Sequence, residues 1–491
     1  MHLTVALLLF CATSLRTLSE LINQSKALSS SLDLLSSKSQ IVPRYVDGKL
    51  FHGSSQYEVL DPHDNSKVLH QVSSITVDDV PKILETSARA FKTWKKVSVA
   101  ETTSGPGWAG FEVFMGIDSI EEAAASATLA LRGEIATTEA GKRAYISRCP
   151  YGVVFAMAPW NAPFVLSQRA ALNPIIGGNA CILKTSEMSP KTQLTLAQLM
   201  HDAGLPAGVL NVVHVAPKDV PAVCEAIIAH DAVGKINFTG STRVGSIIAS
   251  IAGKHIKPLV LELGGKAPAI VCHDADLRSA CQAIAFGGWL NSGQVCMATQ
   301  TVIAHESIAD KLVGLLNAHA KKVSAASEGA PLRGLFTQAS AERAKGIVDD
   351  ALGKGAKVAA GEWKVEGNLV QPILLQGVTP KMQIYKTEMF APVFSIVTFK
   401  DEEDAIRIAN DHEYGLSASV FTTDVARGMK LAEEINSGAV HINGASVHDS
   451  AAHPHGGWKK SGDGRFNGIE GIREFMQFKT ITVNEPHPYP I

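Results

Sequence analysis

The sequence lacks an excess of charge of either sign. Forty-five Lys and Arg stand against 47 Asp and Glu, a formal net charge of −2 over 491 residues. Nucleic acid and an anionic membrane surface are therefore not expected partners. After the first 40 residues there is no low-complexity linker and no internal repeat, and no stretch reaches the ~18 uninterrupted apolar residues of a membrane span. Cysteine is sparse: seven residues, at 11, 149, 181, 224, 272, 281 and 296, an odd number with no C-x-x-C pair. That excludes a disulfide framework and reads as reduced intracellular thiols. What is present is apolar, 46% hydrophobic against 19% charged residues, which excludes disorder and permits a large core.

Residues 1–40 stand apart. "MHLTVALLLFCATS" contains a short apolar run like a secretory h-region. No Lys or Arg precedes it, as a signal peptide would require, and the run is too short to span a bilayer. The Ser/Leu-rich segment to Ser39 reads as a loose extension. The expectation is a cytoplasmic protein, with a secretory signal or N-terminal anchor as the alternative.

From residue 151 short apolar runs alternate with amphipathic ones. "YGVVFAMAP", "NACILK", "VLNVVHV" and "KINFTG" read as strands, separated by a helical stretch near Val165–Ile176 and by "SPKTQLTLAQLMHDAG", "PAVCEAIIAH" and "TRVGSIIASIAG". In the second of these helices Ser189 is a natural N-cap, Pro190 suits the first helical position and Gly204 closes the segment. Strands apolar on both faces between amphipathic helices predict parallel sheets covered on both sides. A second series runs from about Leu259 to Asn443, with helices expected over 277–290 and 307–322. The alternation predicts two α/β domains, each a doubly wound parallel sheet, joined near Lys257–Leu263. The expected division is 41–256, 257–446, and a return to the first domain over 447–491. "ALRGEIATTEAGKRAYISRC" reads as a hairpin arm at about 130–150 and "FKTITVN" as an apolar-alternating terminal strand. Such exposed strands tend to be paired or covered.

"FTGSTRVG" follows a strand and opens a helix, the setting in which free N–H groups and the helix dipole receive phosphate. Its glycines, Gly240 and Gly245, are spaced G-x-x-x-x-G rather than G-x-G-x-x-G, and no P-loop Lys follows, so a plain tight turn remains open. Glu262 lies near the ~20-residue distance at which a dinucleotide fold places its ribose-binding acid. Spacing alone thus offers it as a cofactor ligand. Further on, "NSGQVCMATQ" sets Cys296 among small residues.

Taken together, "APWNAP", "ILKTSEMSP", "FTGSTRVG", "LELGGKAP", "GQVC", "EMFAPV" and "GGWKKSGDGRFNG", in that order, resemble the NAD(P)-dependent aldehyde dehydrogenase superfamily. The resemblance runs from about Val46 to Thr482 and implies that 41–256 is a Rossmann-like cofactor-binding domain and 257–446 the catalytic domain. "APWNAPFVLSQRA", "NGASVHDSA" and "GWAGFEV" resemble its salicylaldehyde dehydrogenase branch, which oxidises aromatic aldehydes. The resemblance implies Cys296 as nucleophile, Glu262 as the base that activates water on the thioester, and Asn161 with the Cys296 backbone N–H as donors to the alkoxide. It implies cofactor contacts at Trp160, Lys184, Glu187, Gly240, Ser241, Glu388 and Phe390. Glu187 favours NAD because a carboxylate repels a 2′-phosphate, while Lys184 leaves NADP possible. Trp108, Phe111, Arg169 and Val447 are the expected substrate contacts, with Arg169 donating to a polar ring substituent. Arms of this kind join subunits in the family, so a homodimer or homotetramer is expected.

Two features depart from the family. "KKVSVA" between Trp94 and Glu101 replaces a longer helical segment. His455 stands where an aromatic or apolar residue usually precedes Gly-Gly. "VHDSAAHPH" brings His448, His453 and His455 close to Asp449, but its spacing and Pro454 do not suit a metal site. No metal is expected, and the segment reads as a surface loop. An acylating relative that passes the thioester to coenzyme A, and a non-catalytic family member, are the alternative readings.

Overall fold

Val153–Met157, Ala180–Lys184 and Leu210–Val213 are buried at every position, as strands covered on both faces must be. In the computed structural model, which describes residues 41–491 apart from 54, 62–63, 95–110, 140, 327–331, 487 and 490–491, they lie inside an eight-stranded sheet. Its order is Gly462–Asp463, Leu259–Glu262, Val233–Thr239, Val153–Met157, Ala180–Lys184, Leu210–Val213, Arg44–Val46, Lys49–Phe51. The five central strands are parallel, and the outer ones pair antiparallel.

A seven-stranded sheet follows, ordered Lys357–Ala360, Ile373–Gln376, Val393–Phe399, Thr299–His305, Ala267–Val271, Ser417–Phe421, Ala439–Ile442. All but its first pair are parallel. Separate apolar clusters cover the two sheets, one centred on Phe155, Ile182 and Ile236 and another on Ile284, Leu312 and Phe394. The fold is therefore the expected pair of doubly wound parallel sheets.

Element ends differ from the sequence reading by a few residues. The helix expected near 165 begins at Pro163, with the proline in the first turn. The helix Leu277–Trp289 starts where the Asp276 carboxylate accepts the Arg278 and Ser279 N–H groups, the usual role of an N-cap aspartate. The helix expected over 307–322 spans Ala309–Ala320. Ser189 occupies its N-cap position ahead of Pro190–Asp202 without bonding a helix N–H.

The arm consists of Glu134–Glu139 and Lys142–Pro150, with Met476–Asn484 antiparallel to the latter along its whole length. Ile135, Tyr145, Phe478, Ile481 and Val483 are exposed along it. Among the described residues no helix is long and apolar enough to cross a membrane. The expectations for residues 1–40 and for "KKVSVA" fall outside the described residues.

Candidate functional site

Parallel strands end together, and this collects seven of the expected residues along one edge. Thr239 pairs Glu262, Phe238 pairs Met157, and Met157 pairs Lys184. The carboxyl ends of four adjacent strands therefore deliver Glu262, Gly240 with Ser241, Trp160 with Asn161, and Lys184 with Glu187. Ligands in open α/β sheets bind outside this end. The second sheet contributes its amino ends. Ala267 pairs Thr299 and Thr301 pairs Ser395, so Leu263–Lys266, Cys296 and Glu388–Phe390 precede neighbouring strands. Two hydrogen bonds tie the parts together: Asn161 Nδ2 donates to the Gln294 carbonyl at 3.1 Å, and Gly265 N–H donates to Glu388 Oε1 at 2.9 Å.

Cys296 sits after a sharp reversal. The helix ends at Trp289, and Asn291, Ser292 and Gly293 all take left-handed φ, at 51°, 56° and 72°. Asn tolerates this region and glycine adopts it freely. A Cβ on Gly293 would stand 2.1 Å from the Ala391 carbonyl oxygen, so the small residue serves close backbone approach. The Ser292 hydroxyl donates to the Arg333 carbonyl at 2.5 Å, and Asn291 Nδ2 to the Asn161 carbonyl at 3.2 Å. Residues held in sparsely populated φ/ψ regions persist only where their surroundings over-determine them, and here they fix the thiol against the first sheet.

Cys296 Sγ lies 3.7 Å from Glu262 Oε1, oriented to donate. Glu262 is only 1% exposed. Its Oε2 accepts from Arg169 Nη2, and Oε1 also accepts from His455 Nε2 at 3.1 Å. Arg169 Nη1 donates to Asp449 Oδ2 at 3.0 Å, and its guanidinium lies 4.7 Å from the Phe466 ring centroid. Asn467 Nδ2 donates to Asp449 Oδ1 at 2.6 Å. Thus Arg169 and His455 alternate with two carboxylates behind the thiol.

The charges act on one another. Burial raises the Glu262 pKa, but the Arg169 guanidinium and His455 outweigh it and bring the carboxyl down to about 2. Burial, reinforced by the Glu262 carboxylate, pushes the Cys296 thiol well above its ordinary value, while Arg169 pulls it back. Burial alone would lower His455, yet Asp449 and Glu262 leave its pKa raised. In this arrangement the thiol keeps its proton and the carboxylate is ionised. Burial also raises Glu388 to about 7 and lowers its neighbour Lys266 to about 7.

The other expected residues fall as follows. Lys184 Nζ contacts Glu187 Oε1 at 2.5 Å and the Thr185 carbonyl at 2.9 Å. Ser241 caps the helix Thr242–Lys254 by accepting the Val244 N–H at 3.4 Å, and no acid occupies that helix's first turn. Trp160 packs 4.5 Å from Phe336 and edge-on 5.9 Å from Phe390, centroid to centroid. Val447 is half-buried. Phe111 begins the helix Phe111–Ala130, and Trp108 lies outside the described residues.

Arg169, expected to face a ring substituent, has both terminal nitrogens on carboxylates and is 4% exposed. A buried guanidinium is favourable only where its charge is matched, and Glu262 and Asp449 match it. The reading of "VHDSAAHPH" as a surface loop holds for the exposed His448 and His453 but not for His455, which is buried. The antiparallel bridge of His455 to Phe466 folds this end of the loop back over Glu262. Asp449, His455 and Asn467 were not expected in the site. The available signal was a polar residue before Gly-Gly where an apolar one is usual. Among the described residues no group of three or more His, Cys, Asp and Glu has metal-binding geometry.

Residues 106–481 match the aldehyde dehydrogenase family. A vanillin dehydrogenase of Pseudomonas sp. strain HR199 is 39% identical over 92% of this chain and 99% of its own. The crystal structure of a salicylaldehyde dehydrogenase from Pseudomonas putida G7, complexed with salicylaldehyde, superposes with a TM-score of 0.88 at 36% identity, covering 92% of this chain and 100% of that one. That of an NAD-dependent aldehyde dehydrogenase from Sinorhizobium meliloti gives 0.86 at 32% identity, covering 92% and 96%. With two facing sheets, a cysteine at their junction and this extent of similarity, the chain belongs to the aldehyde dehydrogenase family and is an enzyme that acts on an aldehyde.

Proposed function

We propose that the protein oxidises an aromatic aldehyde to the carboxylic acid through a covalent bond to Cys296, with NAD as the preferred dinucleotide. The observation that carries this reading is the Cys296 thiol 3.7 Å from the Glu262 carboxylate, where the carboxyl edge of one sheet meets the amino edge of the other. The named substrates of the relatives, vanillin and salicylaldehyde, support an aromatic ring.

The residues suit a dinucleotide. The N-terminus of Thr242–Lys254 is open at Ser241 and free of first-turn acids, which favours a pyrophosphate. Lys184 and Glu187 offer a donor and an acceptor at the neighbouring strand end, and Glu187 disfavours a 2′-phosphate. Glu388 and Phe390 come from the second sheet's amino edge, as Cys296 does, and Trp160, from the first sheet's edge, packs edge-on against Phe390. When bound, the nicotinamide ring supplies a hydride acceptor.

The chemistry at this chain's own groups runs in two halves. The Cys296 thiol gives its proton to the Glu262 carboxylate that it faces, from which it leaves to solvent before the second half; the thiolate adds to the aldehyde carbon, and the new alkoxide is met by the Asn161 amide and the Cys296 N–H; donors fixed before charge develops lower the barrier. Loss of hydride from that carbon leaves a thioester. Glu262 then takes a proton from water, the oxygen adds to the thioester carbon, and the C–S bond breaks to give the acid and the thiolate. A carboxylate beside the thiol favours water over coenzyme A as acyl acceptor. The spectrophotometric appearance of NADH with a panel of aldehydes tests the assignment: no NADH with any aromatic aldehyde overturns it. The exposed apolar strand Met476–Asn484 supports a dimer as the minimum unit, and a solution mass equal to the 52.1 kDa chain contradicts that.

A further inference from the structure

We propose that Gln294 is a positioning residue for the first half of the reaction: its buried side-chain amide fixes the peptide whose carbonyl holds one N–H of Asn161, which leaves the other N–H to meet the alkoxide. This rests on the reading of Asn161 as an alkoxide donor.

The geometry is a closed ring. Asn161 Nδ2 donates to the Gln294 carbonyl at 3.1 Å, Gln294 Nε2 donates to the Asn291 carbonyl at 3.1 Å, and Asn291 Nδ2 donates to the Asn161 carbonyl at 3.2 Å. The Gln294 backbone N–H also reaches the Asn291 carbonyl, at 3.1 Å. A second ring shares Gln294. Its Oε1 accepts the Phe336 N–H at 2.8 Å, the Phe336 ring packs 4.5 Å from that of Trp160, and Trp160 precedes Asn161 in the chain.

Each amide can sit only one way round. A carbonyl accepts and a backbone N–H donates. The Gln294 side chain has one of each as a partner, so a flipped amide would set N–H against N–H and oxygen against oxygen. The Asn161 amide faces a carbonyl, so its nitrogen, not its oxygen, lies on the Gln294 side. That nitrogen carries two hydrogens, and among the described residues it has no acceptor besides the Gln294 carbonyl.

The need for such a group follows from what the carboxamide must do. Charge appears on the aldehyde oxygen only as the thiolate adds, and a donor lowers the barrier to the extent that it is aimed before then. Asn161 lies in the irregular stretch between the strand Val153–Met157 and the helix Pro163–Ile176, where no ladder of backbone hydrogen bonds fixes it. Gln294 is 4% exposed, and a buried amide with its partners satisfied is a rigid support.

The nucleophile has fastenings of its own. The Ser292 hydroxyl is bonded to the Arg333 carbonyl, and the Cys296 carbonyl oxygen lies where a Cβ on Gly265 would meet it at 2.2 Å. Loss of the Gln294 side chain therefore bears on Asn161 before it bears on the thiol. In the step served, the S–C bond forms and the carbonyl π pair moves to oxygen. The adduct keeps every atom and electron until hydride leaves.

The experiment is a double-mutant cycle on the full chain, read by stopped-flow formation of NADH from a saturating aromatic aldehyde. Gln294→Met keeps the length of the side chain and removes both of its hydrogen bonds. It should slow the first turnover at least about tenfold, as a misplaced group does, while the Kd for NAD and the rate of Cys296 alkylation by iodoacetamide keep their wild-type values. Asn161→Ala should slow the first turnover about 10²–10³-fold, the cost of one lost donor. In the Asn161→Ala background Gln294→Met should cost nothing more, because groups that act through one another are not additive. Gln294→Ala carries the same expectations if Met does not fold. Additive losses, a wild-type first turnover in the Gln294 variant, or an altered alkylation rate or NAD Kd overturns the proposal. Asn161→Ala separates the two readings: a wild-type first turnover there removes Asn161 from the alkoxide. If Asn161→Ala is slow while the Gln294 variant is not, only the role of Gln294 fails.

Discussion

Arg169 Nη1 donates to Asp449 Oδ2 at 3.0 Å while Nη2 holds Glu262, so one buried guanidinium bridges two carboxylates from different parts of the chain. This relationship links stability to the site. It also places the guanidinium against Glu262 and Asp449, where a contact to substrate was expected.

Arg169→Met should therefore act first on stability. Removing one member of a buried charge set leaves the others unpaired, at about 3–5 kcal/mol. The pH dependence has a definite sign. In the wild-type protein Glu262 is depressed from 4.5 to about 2, so its contribution is present above 4.5 and disappears as pH falls toward 2. In the variant Glu262 loses the charge that lowers it and favours its protonated form. The loss in thermal midpoint should then be greater at about pH 8 than at about pH 5, where protonation can relieve the repulsion. An equal loss at both values would mean that Arg169 acts through packing on Phe466 alone.

Cys296 and Glu262 should separate in kinetics. Cys296→Ala abolishes NADH formation with every aldehyde while dinucleotide binding, followed by fluorescence titration, persists. Glu262→Gln permits the first half and blocks the second, giving a single burst of NADH without turnover. Normal turnover by Glu262→Gln would reopen the reading of Glu262 as a ribose ligand.

The fold was legible because buried parallel strands leave a strong trace: "YGVVFAMAP" contains five consecutive buried residues, Val153–Met157. The strand ends that assemble the site follow from register, which apolar runs do not encode. Glu262 is the clearest case. Its distance from Gly240 along the chain suggests a dinucleotide acid, whereas pairing of Thr239 with Glu262 brings it to the thiol. His455 was hidden for a related reason. Its neighbours His448, His453 and Pro454 are exposed, and only the bridge to Phe466 turns it inward. Arg169 looked available because a helix-borne arginine is usually at the surface, and the two carboxylates that bury it are remote in sequence.

Glu388 should make dinucleotide binding pH-dependent. Burial raises its carboxyl to about 7, against the Gly265 N–H, Arg343 and Lys266, which favour the ionised form. Below that value the group is protonated and is a poorer acceptor for a ribose hydroxyl. The Kd for NAD, measured by calorimetry, should rise as pH falls through about 7. Glu388→Gln should bind weakly at all pH values and flatten the profile. An unchanged wild-type Kd between about pH 6 and about pH 8, either side of the shifted value, would remove Glu388 from the cofactor contacts.

Substrate preference offers the last test. A ring leaving water for apolar walls gains about 25 cal/mol per Å² of buried apolar area, and part of that energy can orient the carbonyl at Cys296. Acetaldehyde has too little surface to gain as much. Salicylaldehyde or benzaldehyde should therefore have a higher kcat/KM than acetaldehyde. Trp108 is the expected wall, just ahead of the helix Phe111–Ala130. That helix approaches Pro163–Ile176, since a Cβ on Gly116 would lie 3.3 Å from the Phe164 ring. Trp108→Ala should lower kcat/KM for the aromatic aldehyde at least about tenfold more than for acetaldehyde, a difference of ~1.4 kcal/mol in transition-state stabilisation. Equal losses would assign Trp108 to the fold. A wild-type preference for acetaldehyde would refute the aromatic assignment and leave aldehyde oxidation at Cys296 standing.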